Sequence, residues 1–333
     1  MRIGLVGAGR IGSFHAATLA GLPAVDTLVV ADADPVRARD VAARLGAASV
    51  EDVATLLRSG LDGLVIAAAT DAHAPLLLAA IDAGLPVFCE KPVAPTLAAT
   101  VAVLYRARAA GARVHIGFQR RFDAGYAAAR EAVASGRLGT VHTMRAGTLD
   151  AAPPPPEYVP ASGGFFRDCS VHDFDAVRWV SGREVTEVFA LGANRGEAFF
   201  AAAGDVDAAA ALLTLDDGTF VHVMGSRYNA RGYDVRLEVL GSLDGIAVGL
   251  DDRLPLRSVE PGVTFPAGEP YPMFLDRFRP AYVAELAHFA EQVAGRAESP
   301  CTVADALAAL YVAEACERSR HEHRPVTLEE VRA

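Results

Sequence analysis

Lysine is nearly absent from this chain. Of its 31 lysine and arginine residues one is lysine, Lys91, and the rest are arginine. The distinction is chemical: a desolvated lysine can release its proton at a reachable pKa, and an arginine cannot. Cysteine is scarce as well. Cys89, Cys169, Cys301 and Cys316 form no CxxC pair and no zinc-ligand spacing with histidine. Neither a disulfide framework nor a zinc site is therefore expected, and a reduced, cytoplasmic protein with no metal fits. His321-Glu322-His323 has the look of a metal pair but reads as a frayed, polar helix end. Positive charge is in deficit, with a formal net charge of −10. Nucleic acid is therefore not expected as a partner, because phosphate binding needs a basic surface. No apolar run reaches the roughly 18 residues that would span a membrane. Met1 leads directly into Arg2-Ile3-Gly4-Leu5-Val6, which reads as a strand rather than a signal peptide.

What is present is an ordinary globular balance, 52% hydrophobic and 22% charged over 333 residues, enough for two domains. Residues 1–119 alternate short apolar runs (Ile3–Val6, Thr27–Ala31, Gly63–Ala67, Pro86–Cys89, Arg113–Gly117) with helical stretches. This alternation predicts an α/β domain with a doubly wound parallel sheet. Residues 120–333 change grammar. A helix over Arg121–Ser135 and a strand over Val141–Leu149 precede a loop, Ala151–Gly164, that contains four successive prolines. A helix over Asp168–Ser181 follows, then strands near Glu184–Leu191, Ala208–Leu215, Thr219–Ser226 and Asp234–Leu240. Asp217-Gly218 marks a hairpin between two of them. Helices over Asp276–Ala294 and Val303–Arg320 close the chain. The second domain is expected to be α+β with a largely antiparallel open sheet.

Gly7-Ala8-Gly9-Arg10-Ile11-Gly12 joins the first strand to the first helix. In that context the pattern is a dinucleotide fingerprint. Gly7 permits the turn, Gly9 admits a pyrophosphate, and Gly12 lets helix and sheet pack closely, with Arg10 and Ile11 opening the helix toward the phosphates. Asp32 ends the second strand, where a carboxylate accepts from ribose hydroxyls and repels a 2′-phosphate. NAD is expected over NADP, and Arg37 lies close enough to bear on that choice. A solvated strand end or a helix cap is the plainer reading of Asp32.

Three further segments stand in order. Val87-Phe88-Cys89-Glu90-Lys91-Pro92 puts Glu90 and Lys91 at the carboxyl end of a strand, behind Thr70 and His73 at the end of the preceding one. Gly117-Phe118-Gln119-Arg120-Arg121-Phe122-Asp123 follows, and then Gly163-Gly164-Phe165-Phe166-Arg167-Asp168-Cys169-Ser170-Val171-His172. Together with the glycine fingerprint they resemble the glucose–fructose oxidoreductase, inositol dehydrogenase and rhizopine-catabolism family over nearly the whole chain.

The resemblance implies a Rossmann domain followed by an α/β domain with an open sheet through which members form dimers or tetramers. It implies that Lys91 meets substrate and nicotinamide, that Asp168 and His172 complete the catalytic set, and that Thr70, His73, Glu90 and Arg120 lie near the cofactor. Gln119, Asp150 and Tyr233 are expected to join Lys91, Asp168 and His172 as substrate contacts. For Asp150 a turn residue, and for Tyr233 strand-edge packing, is the alternative. Relatives carry a Ser-Arg-Asp-Pro-like segment where this chain has Thr148-Leu149-Asp150-Ala151, which loosens the substrate analogy.

Asp168 and His172 are four residues apart on a predicted helix and so share a face. Histidine suits proton removal from a secondary alcohol. Asp168 orients the imidazole, holds a hydroxyl or caps the helix. Lys91 stabilises charge on the reacting oxygen or relays the proton. The expected activity is NAD-dependent oxidation of a cyclitol or sugar alcohol, inositol 2-dehydrogenase-like. Oxidation at carbon 3 of a glucoside, NAD-assisted glycoside hydrolysis and a non-catalytic NAD-binding, sugar-responsive regulator are the alternatives.

Overall fold

Apolar runs bounded by turns become buried strands in the first part of the chain. The computed structural model describes residues 1–332. Its elements begin β1 (Arg2–Val6), α1 (Arg10–Gly21), β2 (Thr27–Ala31), α2 (Pro35–Leu45), β3 (Ala48–Ser49), α3 (Val53–Leu57), β4 (Gly63–Ile66), α4 (Thr70–Asp82), β5 (Val87–Glu90), α5 (Leu97–Ala110) and β6 (Val114–Gly117). They continue with α6 (Ala124–Ala134), β7 (Val141–Leu149), α7 (Val171–Ser181), β8 (Val185–Ala193), α8 (Ala198–Ala202), β9 (Ala208–Leu215), β10 (Phe220–Ser226), β11 (Asp234–Gly241) and β12 (Gly245–Val248). The chain ends with α9 (Phe274–Val293), α10 (Val303–Glu322), β13 (Val326–Thr327) and α11 (Glu329–Arg332).

The first sheet has the order β3-β2-β1-β4-β5-β6, with every described pairing parallel. β4 and β6 are buried throughout, as strands covered on both faces must be. The strand order reverses between β1 and β4. A crevice outside the carboxyl ends of these two strands is where such sheets take ligands.

The second sheet has the order β12-β11-β7-β10-β9-β8-β13. β7 and β10 run parallel, and the other described pairings are antiparallel. Gly218, at φ 86°, closes the hairpin from β9 to β10. β10 alternates exposed and buried side chains, the mark of a sheet with one open face.

The chain does not divide at a single boundary. Met1–Phe122 and Pro280–Leu307 form one compact unit; Asp123–Arg279 and Ala308–Ala333 form the other. Hydrophobic burial explains the return of Pro280–Leu307: Leu286 and Phe289 of α9 join the core of Ile3, Leu5 and Phe88. Gly63 permits the approach, since a Cβ there would lie 2.7 Å from Val293 Cγ2.

Two helix expectations need correction. The helix expected over Arg121–Ser135 is broken at Asp123, whose Oδ1 accepts from Gly125 and Tyr126 N–H and caps α6. Gln119–Phe122 forms a 3₁₀ turn instead. The helix expected from Asp168 is also divided. Phe166–Ser170 is a π-helical turn and α7 starts at Val171, so Asp168 and His172 do not share one regular α-helix. The chain reaches this turn through Gly163 and Gly164, both at positive φ, and Asp205 Oδ1 holds the Phe165 N–H at 2.9 Å. Turns of this kind are frequent at functional sites.

Candidate active site

The glycine loop sits at the point where the strand order reverses. Gly7 has φ 96°, and a Cβ on it would stand 2.4 Å from the Ala67 carbonyl oxygen beyond β4. A Cβ on Gly12 would stand 1.9 Å from the Gly7 carbonyl oxygen. Gly9 differs, because a Cβ there would meet nothing within 4 Å. The loop therefore presses against the sheet at Gly7 and Gly12 and opens outward at Gly9. Arg10 is exposed and Ile11 half-buried at the start of α1. The donor set and the open approach at Gly9 fit a pyrophosphate.

Asp32 is buried, and both its oxygens are engaged. Oδ2 accepts the Ala8 N–H at 2.6 Å, Oδ1 accepts the Asp34 N–H at 2.8 Å, and Arg37 reaches Oδ1 at 3.4 Å. The residue thus ties the glycine loop to the end of β2, and a carboxylate keeps acceptor capacity for a ribose hydroxyl beside these bonds. The plainer reading of Asp32 as a cap does not hold, since Asp34 caps α2.

Lys91 follows β5 and is half-buried. Its neighbours are fixed on both sides. Glu90 Oε1 meets His15 Nε2 of α1 at 2.6 Å, and His15 is fully buried, its ring edge-on to Phe88 and Tyr282. A Cβ on Gly117 would lie 3.1 Å from Glu90 Oε2. On the other side, His73 directs Nδ1 at the Pro92 carbonyl (2.6 Å) and Nε2 at the Ala68 carbonyl (3.0 Å). Its ring ties the Lys91-Pro92 turn to the end of β4. Thr70 opens α4, and Gln119 and Arg120 are buried in the 3₁₀ turn after β6.

The second unit gathers its polar residues at one end of its sheet. Asp234 of β11 and Ser226 of β10 both pair with Leu149 of β7. The residues just beyond, Tyr233, Asp150 and Arg227, therefore emerge side by side. Arg227 is buried, with Cζ 5.1 Å from the Phe165 ring centroid. It donates from Nη1 to Asp150 Oδ2 at 3.1 Å and from Nη2 to Asp168 Oδ2 at 2.8 Å. The Tyr158 hydroxyl, from the proline-rich loop, donates to Asp168 Oδ1 at 2.9 Å. Burial opposes the Arg227 charge, but the neighbouring carboxylates of Asp168 and Asp150 outweigh it and hold the guanidinium above its ordinary range. Burial likewise raises the Cys169 thiol, which stays neutral. His172 is half-buried in the first turn of α7. That turn is anchored by the buried bond from the Thr148 hydroxyl to Asp173 Oδ2, 2.8 Å. Tyr233 is buried, its N–H bonded to the Tyr271 carbonyl, beside a small cavity lined by Asp234, Asp251 and Tyr271.

His15, Tyr158 and Arg227 were not anticipated from sequence. His15 lies on the buried face of α1, but its partner is 75 residues away. Arg227 is one of many arginines, and only strand register sets it beside Asp150.

Known proteins resemble this chain in sequence and fold. Residues 1–118 match the model for the oxidoreductase family with an NAD-binding Rossmann fold, and residues 126–247 match the GFO/IDH/MocA C-terminal domain. Myo-inositol dehydrogenase Hyg17 of Streptomyces leeuwenhoekii is 39% identical over 96% of this chain and 97% of that relative. Myo-inositol 2-dehydrogenase of Thermotoga maritima is 35% identical over 99% of each. The crystal structure of scyllo-inositol dehydrogenase from Lactobacillus casei with bound NAD(H) and scyllo-inositol superposes with a TM-score of 0.89 at 26% identity, covering 99% of both chains. Two family domains in the expected order and relatives matched from end to end leave one conclusion: this chain belongs to the GFO/IDH/MocA family of NAD-binding oxidoreductases.

Proposed function

We propose that the chain oxidises a ring secondary alcohol of a cyclitol, in the manner of an inositol 2-dehydrogenase, with NAD as hydride acceptor. The observation that carries this reading is the carboxylate pair Asp150 and Asp168 on one buried arginine, an acceptor set suited to a substrate made of hydroxyl groups. It is joined by full-length likeness to inositol dehydrogenases. Gly7, Gly9, Arg10, Ile11 and Gly12 hold the pyrophosphate, and Asp32, with Arg37 beside it, holds the adenosine ribose. Thr70, Glu90, Lys91 and Arg120 face the nicotinamide end, with His73 fixing the Lys91 turn. Bound NAD supplies the hydride chemistry. The Lys91 ammonium stabilises charge on the reacting oxygen. His172 takes the hydroxyl proton in oxidation and returns it in reduction. Asp168 and Asp150, with Gln119 and Tyr233, hold the remaining hydroxyls.

A panel of polyols and sugars with NAD and with NADP tests this. Lasting NADH formation with myo-inositol or a stereoisomer is the expected result. Sugar release from glucosides without net NADH would overturn it, as would tight NAD binding with no turnover on any polyol.

We further propose that the open sheet face is a subunit interface in a homo-oligomer. Leu191, Leu212, Phe220 and Met224 are 51%, 47%, 52% and 41% exposed on three adjacent strands. Exposed apolar side chains so grouped mark an interaction surface. Leu212→Glu with Met224→Glu is expected to convert a dimer or tetramer to monomer, read by light scattering after size exclusion; an unchanged mass rejects the interface. The four buried, free cysteines support a cytoplasmic setting. Among the described residues, no helix is long and apolar enough to cross a membrane.

A further inference from the structure

We propose that Arg227 is a positioning residue: by donating to both carboxylates it fixes Asp150 and Asp168 as a matched, acceptor-only pair that receives two hydroxyl groups of the substrate. The proposal deepens the cyclitol reading and rests on it.

Three observations converge. The guanidinium is buried, with Nη1 on Asp150 at 3.1 Å and Nη2 on Asp168 at 2.8 Å. One planar fork therefore sets the spacing of the two carboxylates, which a flexible ammonium could not do. The fork is itself held. The Arg227 N–H donates to the Asp207 carbonyl at 2.7 Å, and the ring of Phe165 lies against the guanidinium. Finally, Asp168 Oδ1 already receives a hydroxyl, that of Tyr158. An O–H donor thus stands in the structure where the proposal places one from the substrate.

Charge makes the arrangement depend on the arginine. Asp168 is faced by Arg227 from the end of β10, Tyr158 from the proline-rich loop and Asp150 from the end of β7, with Cys169 and Asp173 also close. Arg227 is the cation that these two carboxylates share. Without it the pair loses that common charge and takes a proton more readily. A protonated carboxyl donates where the substrate hydroxyl must donate, so polyol binding suffers more than NAD binding.

Arg227→Gln and Arg227→Lys test the assignment. Arg227→Gln is expected to raise the KM for the polyol by roughly 10- to 100-fold, with a smaller fall in kcat and unchanged NAD affinity. The acid limb of kcat/KM should move up by about one pH unit, because the ionised pair is needed and its pKa rises when the cation is lost. Arg227→Lys should recover part of both effects. A cycle of Arg227→Lys with Asp150→Asn should be non-additive in KM. A substrate-independent readout separates this proposal from the cyclitol reading: in apo protein with ¹³Cγ-labelled aspartate, either Arg227 variant should move the Asp168 titration upward, the resonance being assigned with Asp168→Asn. That shift in a protein inactive on every polyol would keep the positioning role and discard the substrate. An unmoved titration, or unchanged KM and acid limb in an active enzyme, would overturn the proposal.

Discussion

Replacing Lys91 with arginine should lower turnover by roughly a thousandfold while leaving NAD affinity within a few-fold. The charge survives the change, so a role limited to attracting an anion would survive too. The shape does not. An ammonium is a compact charge that can approach one oxygen closely, whereas a guanidinium is a wide fork that stays protonated. Lys91 stands on a short, immobilised stretch, with Glu90 held by His15 before it and Pro92 held by His73 after it. The backbone cannot shift to accommodate the longer head. Steady-state kinetics on the polyol identified by the panel, with NAD titrated by fluorescence, measure both quantities. Near-normal kcat in Lys91→Arg would remove Lys91 from the chemistry. A loss of both kcat and NAD binding would show damage to the crevice instead.

The parts of this molecule legible in the sequence are those encoded locally. The glycine loop announces itself because its constraints are steric and fall within six residues, Gly7 to Gly12. The parallel strands are legible because burial on both faces demands unbroken apolar runs, as in Gly63–Ile66. The second sheet was readable as largely antiparallel from its alternation and its Asp217-Gly218 turn, but the parallel pairing of β7 with β10 depends on where a distant strand inserts. Pro280–Leu307 could not be assigned to the first unit from sequence, because an apolar helix face does not name the sheet that it covers. Asp168 and His172 were expected on one helix and are not. Their spacing suits an α-helix, and the π turn comes from the glycines before it and from Asp205, far along the chain. Arg227 was invisible for the same reason, since its meaning lies in its register with Asp150 and not in its neighbours.

Two alanine substitutions in the glycine loop should have opposite effects on stability and the same effect on NAD. At Gly12 a methyl group would be forced to 1.9 Å from the Gly7 carbonyl oxygen and 2.7 Å from its carbon. Gly7 cannot retreat. Its N–H is bonded to the Ala31 carbonyl at 2.9 Å, and the Ala67 carbonyl blocks it from the other side. Helix α1 must move instead, straining His15 against Glu90. Overpacking of this kind costs about 1–3 kcal/mol, so Gly12→Ala should melt several degrees lower and lose NAD affinity by well over tenfold. At Gly9 the backbone has φ −70° and ψ −162°, which alanine adopts without strain, and the methyl would meet nothing within 4 Å. Restricting the unfolded chain should make Gly9→Ala equal to or more stable than the parent by about 0.4–1 kcal/mol. The same methyl would occupy the space through which the pyrophosphate approaches, so NAD affinity should fall with no loss of fold. Thermal melts without NAD, paired with calorimetric titration of NAD, separate the two residues. Gly9→Ala binding NAD as the parent does would remove the pyrophosphate from this loop, and an unchanged melting temperature in Gly12→Ala would show that helix and strand do not depend on that contact.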